Sequence, residues 1–312
     1  MPGIRLASFD TEGLALAADR SRVTERLILQ ALAVGETAAD VVALLGVADT
    51  AALDHLVDTL YTATGRHYRH TLLLGGNDPE GGHPALLAQL PIVHARSHRT
   101  LSFAEIGRTP PHQFEPGAAV FSRDCLEVAV ERQGRTLSLF VCHFQASSGT
   151  TGLVNDADPE RKWRQAEAAA VRQIIEQRFT DPATAHWVIL GNLADQPEDE
   201  RGQPNPNHGL GPLFEDGFAV DLAGPGATRW TCYDLGSNRY RRTDHLLVSP
   251  ALARRNQLSR VDIIRAGLPY RAERAAVARY PRVGWLSPAA SWHCPIAAEI
   301  TYSGEAREGR GM

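Results

Sequence analysis

The chain has 312 residues, of which 43% are hydrophobic, and its formal net charge at pH 7 is -4. This apolar content is enough for a complete core and excludes a largely disordered chain. The negative net charge excludes an overall basic field that would draw the protein to nucleic acid, so a nucleic-acid partner is not favoured.

The sequence shows none of the signals for export, membrane insertion or disulfide stapling. The N-terminus lacks the charged head and apolar core of a signal peptide, and no apolar run approaches the ~18 residues of a membrane span. The four cysteines lack the paired spacing of a zinc site or a disulfide framework; they are Cys125, Cys142, Cys232 and Cys294. We therefore expect a soluble, cytoplasmic protein with no membrane partner.

Hydrophobic periodicity predicts a few helices among many strands. Apolar residues at helical spacing predict helices over 21–32, 51–60 and 159–179. Short apolar runs bounded by turn residues predict strands over 4–9, 41–45, 68–74, 85–90, 118–122, 126–131, 136–143, 187–190, 246–248, 261–264 and 296–302. A turn at 133–135 joins two of these strands into a hairpin, and 196–211 forms a loop rich in proline, asparagine and glycine.

Groups of strands separated by helices predict an α+β domain with a layered α/β/β/α arrangement. The sequence has no internal repeat and no linker long enough to divide it, so we expect one domain over residues 1–302. Residues 303–312 lack large apolar side chains until the last position, which is typical of a flexible C-terminal tail.

Two motifs near the ends of predicted strands carry most of the functional information. Residues 190–195 read Leu-Gly-Asn-Leu-Ala-Asp, and residues 291–296 read Ser-Trp-His-Cys-Pro-Ile. They resemble the Gly-Asp-x-Asn and Ser-Asp-His-x-Pro signatures of the endonuclease/exonuclease/phosphatase superfamily, with acidic residues replaced. Segments at 4–14, 40–47, 77–87, 121–128, 143–147 and 242–249 resemble further segments of that family, in the family's order.

This resemblance extends from residue 4 to residue 302 and implies a four-layered α/β/β/α sandwich of the DNase I-like type. In the family, the active site lies at one end of two sheets packed face to face. Family enzymes use a divalent cation, usually magnesium, to hydrolyse phosphoesters. The resemblance therefore implies a phosphoesterase-like or nuclease-like hydrolase.

Several positions that carry the family's chemistry are altered in this chain. A glutamate at the position of Gly46, helped by an asparagine at the position of Asp10, binds the cation in family enzymes. An aspartate at the position of Asn192 activates water, and an asparagine at the position of Ala194 steadies the phosphate. The acidic member of the family's Asp-His pair is replaced by Trp292. These degenerate positions predict that magnesium-dependent hydrolysis is weakened or lost, because magnesium needs hard oxygen ligands in near-octahedral geometry.

Other site residues of the family remain. By resemblance, the catalytic candidates are His143, Asp244 and His293, and the candidate metal-binding acids are Asp10 and Glu12. If the fold is that of the family, the side chains of Asp10, His143, Asp244 and His293 converge on one cleft. We expect His293 and Asp244 to lie within hydrogen-bond reach.

Three hypotheses for the function follow and stay open at this point. The first is a pseudoenzyme or binding protein that keeps the fold without the catalysis. The second is an active hydrolase with an altered site, built on Asp10, His143, Asp244 and His293. The third is a repurposed site in which two histidines and one carboxylate hold iron, zinc or copper. In each case the expected partner is a small phosphoester or another small molecule. Trp292 either plugs the core or forms an aromatic wall.

Overall fold

The computed structural model describes residues 3–16, 24–78, 80–111, 114–145, 159–199 and 201–302. The helices are α1 (Glu25–Glu36), α2 (Thr50–Thr64), α3 (Pro159–Arg178), α4 (Gly211–Phe214) and α5 (Pro250–Arg255). The strands are β1 (Gly3–Leu14), β2 (Val41–Val47), β3 (His70–Leu73), β4 (His83–Ala88), β5 (Ile92–Ser97), β6 (Asp124–Arg132), β7 (Arg135–His143), β8 (Trp187–Asn192), β9 (Val220–Asp221), β10 (Cys232–Asp234), β11 (Arg239–Arg241), β12 (Asp244–Val248), β13 (Asp262–Ile263) and β14 (Ile296–Thr301). The predicted tail at 303–312 lies outside the described residues.

Two six-stranded sheets contain most of the strands. The first sheet has the order β13-β14-β1-β2-β4-β3, and the second has the order β5-β6-β7-β8-β12-β9. Each sheet contains one parallel pair, β1 with β2 and β7 with β8, and the remaining pairs are antiparallel. A parallel pair needs a crossover connection, and α1 and α3 lie on the two connections. The short hairpin of β10 and β11 stands apart from both sheets.

Three apolar clusters explain the layering. One cluster fills the space between the sheets, with contributions from β1, β2, β4, β6, β7, β8, β12 and β14. A second cluster packs α1 and α2 against the outer face of the first sheet, and a third packs α3 against the outer face of the second. Because both faces of each sheet are covered, a central strand such as β2 is buried at every position. The predicted four-layered α/β/β/α sandwich is confirmed. No helix in the described ranges is long and apolar enough to cross a membrane.

The structure corrects several predicted elements. The strand predicted over 118–122 is wrong: this segment makes only an isolated bridge between Ala119 and Ser102. Its apolar residues Val120 and Phe121 are buried within the cluster beneath α3, so burial under a helix produced the strand-like pattern. The edge strand β5 was not predicted, because half of its residues are exposed and its sequence has no apolar run. The first helix begins and ends four residues later than predicted. The hairpin turn between β6 and β7 is confirmed, with Gln133 and Gly134 at positive φ.

Gly191 is a backbone constraint close to the functional end of the second sheet. It lies opposite Cys142 in the parallel pairing of β7 with β8, and its φ is 144°. A Cβ atom at this position would overlap the carbonyl oxygen of Cys142. Glycine therefore allows the close approach that places the ends of β7 and β8 side by side.

We predict that Gly191→Ala lowers the free energy of unfolding by about 3 kcal/mol or more, because backbone overlap is added to an unfavourable φ. The matched control is Gly134→Ala, at a φ of 74° with no atom within 4 Å of the added Cβ. In that variant alanine is strained only by the left-handed backbone conformation, so the free energy of unfolding should fall by about 1–2 kcal/mol. Urea denaturation of both variants measures the difference. Equal losses would show that the contact with Cys142 is not the constraint.

Candidate functional site

Polar residues occupy one end of the sandwich, at the last inward-facing position of neighbouring strands. His143 ends β7, Asn192 ends β8 and Asp244 begins β12. The register pairs His143 with Asn192 and Asn192 with Asp244, so these three residues form one row across the second sheet. Apolar inward-facing residues two positions away along each strand belong to the core between the sheets. The row therefore lies where the apolar interior ends.

Asp10 brings a carboxylate to this row from β1 of the first sheet. Its Oδ2 atom accepts a hydrogen bond of 2.8 Å from the Asn192 amide nitrogen, and Oδ1 accepts one of 3.0 Å from the backbone N–H of Glu12. Burial opposes ionisation, but the charges of His143 and His293 and these two hydrogen bonds hold the pKa of Asp10 well below its usual range. Asp10 is therefore a buried anion.

His143 is buried beside that anion and is nevertheless neutral. Its Nε2 atom lies 3.5 Å from Asp10 Oδ2, and no residue in the described ranges forms a hydrogen bond with its imidazole. Burial lowers the pKa of His143 to about 4, with the charges of Arg123 and His293 acting in the same direction and Asp10 opposing them. At neutral pH its ring offers one donor and one acceptor.

His293 has the opposite protonation state because its partner is closer. Its Nδ1–H donates to Asp244 Oδ2 over 2.8 Å, and the Thr231 hydroxyl donates to the same oxygen over 2.7 Å. Although burial disfavours the charged ring, the carboxylate of Asp244 raises the pKa of His293 well above its usual value. Asp244 Oδ1 is buried and has no hydrogen-bond partner among the described residues. The two residues form a buried imidazolium–carboxylate pair.

Glu12 connects β1 to the loop that carries His293. The residue is exposed at a φ of 49°, where the strand turns. Its Oε2 atom accepts hydrogen bonds from the Ser291 hydroxyl, over 2.9 Å, and from the Trp292 backbone N–H, over 2.6 Å. The Glu12 carboxylate therefore lies at the backbone of the position where the family carries an acidic side chain.

Gly46, at the position of the family's metal-binding glutamate, adopts a φ of 75°. A Cβ atom there would lie 3.0 Å from the backbone nitrogen of Gly13. The loop before β4 covers the same point, since a Cβ on Gly82 would lie 3.2 Å from the Cα of Gly46. This backbone is adapted to glycine and leaves no room for a glutamate without rearrangement.

A cleft of about 380 Å³ is lined by Asp10, Glu12, Gly46, His143, Asn192 and His293, whereas Asp244 lies behind His293. The sequence prediction missed three of its charged side chains, Asp78, Glu80 and Arg123, although they lie within the segments that resemble the family. Arg123 pairs with Asp78 over 3.2 Å through Nε, and its Nη1 donates to the carbonyl of Phe144 over 3.1 Å. No pattern of spacing indicated these residues, because Asp78 and Glu80 lie in the loop before β4 and Arg123 directly precedes β6, and only the tertiary fold brings them together.

A second cavity of about 300 Å³ adjoins the cleft, and Glu12, Asn192 and His293 line both. Trp292 forms part of its wall, with its ring tilted against that of Tyr233 at a centroid distance of 5.7 Å. The indole is half-buried and lines open space, so the structure favours an aromatic wall over a core plug. Ala194 also lines this cavity, at a φ of 54°.

His245 lies on the outward face of β12, fully buried, and bonds to Asp221 and to the carbonyl of Asp195.

The donor set does not fit a magnesium ion. Both oxygens of Asp10 accept hydrogen bonds, Glu12 holds the backbone of Trp292, and Asp78 is paired with Arg123. In the part of the chain that the structure describes, no group of three or more histidine, cysteine, aspartate or glutamate side chains is placed to hold a metal. The near-octahedral set of oxygens that magnesium requires is not assembled.

No protein-family model and no curated protein matches the chain, but solved structures match it over nearly its whole length. Truncated TDP2 from Caenorhabditis elegans is 15% identical, with a TM-score of 0.56 over 96% of this chain and 98% of that one. An endonuclease/exonuclease/phosphatase family protein from Leptotrichia buccalis is 12% identical, with a TM-score of 0.57 over 96% and 100% of the two chains. The human Nocturnin catalytic domain with bound sulfate is 13% identical, with a TM-score of 0.58 over 97% and 94%.

At such identities the likeness shows the fold. The chain has the DNase I-like fold of these solved structures, one of which is an endonuclease/exonuclease/phosphatase family protein, and this confirms the fold predicted from the order of its motifs. The structure brings Asp10, His143, Asn192 and His293 to one cleft, with Asp244 directly behind His293.

The two histidines predict opposite pH dependences of stability. His293→Gln should lower the free energy of unfolding by about 3–5 kcal/mol below pH 6.5, since it leaves Asp244 buried without its ionic partner. The folded pKa of His293 is raised, so its ionic contribution is complete below the unfolded pKa and is lost as pH rises through the folded value. Chemical denaturation from pH 5 to pH 9 measures this loss.

His143→Gln is the comparison. The folded pKa of His143, about 4, lies below the unfolded value of about 6.5. The wild type should therefore lose up to roughly 3 kcal/mol relative to His143→Gln as pH falls from 6.5 to 4. The same direction of change for both histidines would contradict the assigned protonation states.

A double-mutant cycle tests the contact between Asp10 and Asn192. Asn192→Asp places two carboxylates in contact and should lower the free energy of unfolding by about 1–3 kcal/mol. Adding Asp10→Asn restores one carboxylate facing one amide and should recover most of that loss. Denaturation of the two single variants and the double variant measures the coupling. A double variant that loses the sum of the single effects would show that the side chains do not interact.

Proposed function

We propose that this chain is a small-molecule-binding protein built on a phosphoesterase fold, in which magnesium-dependent phosphoester hydrolysis is weakened or lost. The observation that carries the proposal is the backbone at Gly46. Its positive φ and the approach of Gly13 and Gly82 support the proposal, because main chain takes up the space that a side chain at position 46 would need. A simple loss of one side chain would have left that space open.

The arrangement of Asp10 and Asn192 supports the same reading. In the family, the amide lies at the position of Asp10 and the carboxylate at the position of Asn192. Here the carboxylate and the amide have changed places, and they remain bonded across the two sheets at 2.8 Å. The anion therefore lies on β1, against His143, while β8 carries a neutral amide where the family activates water. The bond between the two positions is therefore kept, but the negative charge lies on β1 and not on β8, where the family's reaction needs it.

An active hydrolase with an altered site is the second candidate. The observation that favours it is the coexistence of an anion at Asp10, a neutral imidazole at His143 and an imidazolium at His293 within one cleft. Such a set supplies a base and an acid at neutral pH. A transition-metal site receives less support, because the described residues contain no suitable group of three ligands.

We predict that purified protein hydrolyses bis(p-nitrophenyl) phosphate and DNA with magnesium at least about 10²-fold more slowly than a typical nuclease assayed in parallel. Initial rates with magnesium and with EDTA, for the wild type and for His143→Ala, provide the measurement. The four rates should be similarly low. Turnover near that of the nuclease, abolished by His143→Ala, would overturn the proposal in favour of the second candidate.

The proposed binding of a small molecule can be measured separately from catalysis. A ligand of the folded protein raises the melting temperature in proportion to RT ln(1 + [L]/Kd), so a panel of phosphate esters, amines and neutral polar compounds can be screened by thermal shift. The shift should persist in the remote variant Leu258→Ala, whose side chain is 95% exposed, and disappear in His143→Ala. If no compound in the panel stabilises the wild type, the binding proposal fails.

A further inference from the structure

The cleft and the adjoining cavity form one groove, because three residues line both. We call the part around Asp10 and His143 the polar chamber, and the part around Trp292 and Tyr233 the aromatic chamber. Their volumes, about 380 and 300 Å³, are each large enough for a group of several heavy atoms. His293 stands at their junction.

The polar chamber has an excess of negative charge. Four carboxylates line it, from Asp10, Glu12, Asp78 and Glu80, together with two cations, Arg123 and His293. Both cations are already paired, Arg123 with Asp78 and His293 with Asp244 behind the chamber wall. The four carboxylates outnumber the two cations by two, so an anionic group that entered would add to this excess of negative charge.

A second, independent observation indicates that a ligand enters. His143 is 8% exposed and lines the chamber. Its Nε2 atom lies 3.5 Å from Asp10 Oδ2, and its Nδ1 atom has no hydrogen-bond partner in the described part of the chain. Buried polar atoms normally have partners, so a group that occupies the chamber would supply the partner that Nδ1 lacks. The Asp10 carboxylate beside this imidazole offers acceptor oxygens to that group. The chamber therefore suits a ligand rich in donors and positively charged.

The aromatic chamber has different chemistry. Its carboxylates, Glu12 and Asp234, are balanced by Arg241 and His293, and Arg241 is paired with Asp234 over 3.2 Å. Trp292, held by its backbone bond to Glu12, supplies a ring face beside Tyr233. The side chain of Leu235, 46% exposed, adds an apolar contact at the hairpin tip. Such a lining suits a planar ring without a charge of its own.

We infer that the groove binds an organic cation that carries an aromatic ring, with its ammonium group in the polar chamber and its ring beside Trp292. The inference rests on the proposed function, since it names the class of ligand for the same site. It also departs from the fold's phosphoester chemistry, which requires an anion and the metal that neutralises it. In this groove the carboxylates that the structure describes are not arranged to bind a metal ion. An ammonium group supplies the positive charge that would balance them and the N–H donors that their oxygens accept.

Isothermal titration calorimetry with three related probes in EDTA tests the inference. Tyramine carries both the ring and the ammonium group, tyrosol replaces the ammonium with a hydroxyl, and phenyl phosphate replaces it with an anion. We expect tyramine to bind at least about tenfold more tightly than either of the other two, because a charge-assisted hydrogen bond is lost with each. Ethylamine, which has no ring, should also bind more weakly than tyramine.

Two variants separate the chambers. Trp292→Ala should weaken tyramine about tenfold and leave ethylamine unchanged, because only the ring contact is lost. Glu80→Gln should weaken the binding of both amines. Glu80 is exposed, and its hydrogen bond to Asp78 is made by its backbone N–H, so the substitution should preserve the fold. Leu258→Ala is the matched surface control and should bind tyramine as the wild type does.

The outcomes are distinct for the two proposals. Phenyl phosphate binding more tightly than tyramine, in EDTA or after magnesium is added, would overturn the cation inference and leave small-molecule binding intact. Equal affinities for tyramine and tyrosol would also overturn the cation inference and leave small-molecule binding intact. If none of the probes and no compound of the thermal-shift panel binds, the proposed function itself fails, and the inference fails with it.

Discussion

The hydrogen bond between Asp10 and Asn192 is the interaction on which the arrangement of the site depends. It joins the two sheets at the end where their shared apolar core stops, so it fixes the distance between β1 and the row of polar residues on the second sheet. It also fixes where the negative charge lies. A buried carboxylate is tolerated only if donors surround it, and Asp10 has the amide of Asn192 and the backbone N–H of Glu12.

Once the anion is placed, the two histidines take different protonation states for physical reasons. His143 lies 3.5 Å from Asp10 but is desolvated and faces the charges of Arg123 and His293, so it stays neutral. His293 is bonded to Asp244 over 2.8 Å and stays charged. Two side chains of one type therefore supply an acceptor and a cation within one cleft, through their environments alone. The same electrostatics that could support acid–base chemistry also shape a chamber with unbalanced negative charge.

Sequence reasoning predicted the fold because its signals are local and repeated along the chain. Apolar runs such as 41–45 and the order of the motifs indicated a two-sheet sandwich with helices outside. The motifs that resemble the family also indicated Asp10, His143 and His293, which the structure brings to one cleft. Sequence reasoning failed at 118–122, where apolar residues are buried beneath α3 rather than in a sheet. Arg123 was missed for a related reason, since its place in the cleft depends on tertiary contacts that residue types do not encode.

The substitutions in the family's motifs are coupled through space. Gly46 has no side chain, and the loop before β4 lies against its Cα, so that loop brings Asp78 and Glu80 to the cleft. Glu12 reaches the backbone of Trp292 and holds its ring beside Tyr233. Near each position where the family's acidic residue is replaced, a carboxylate from another element lies close by. Asp10 and Glu12 accept hydrogen bonds from protein donors, and Asp78 is paired with Arg123. Main chain therefore takes the space beside Gly46, and Asp10 and Glu12 are held by protein donors. These contacts support the proposal that the site has changed its ligand as well as lost acidic residues.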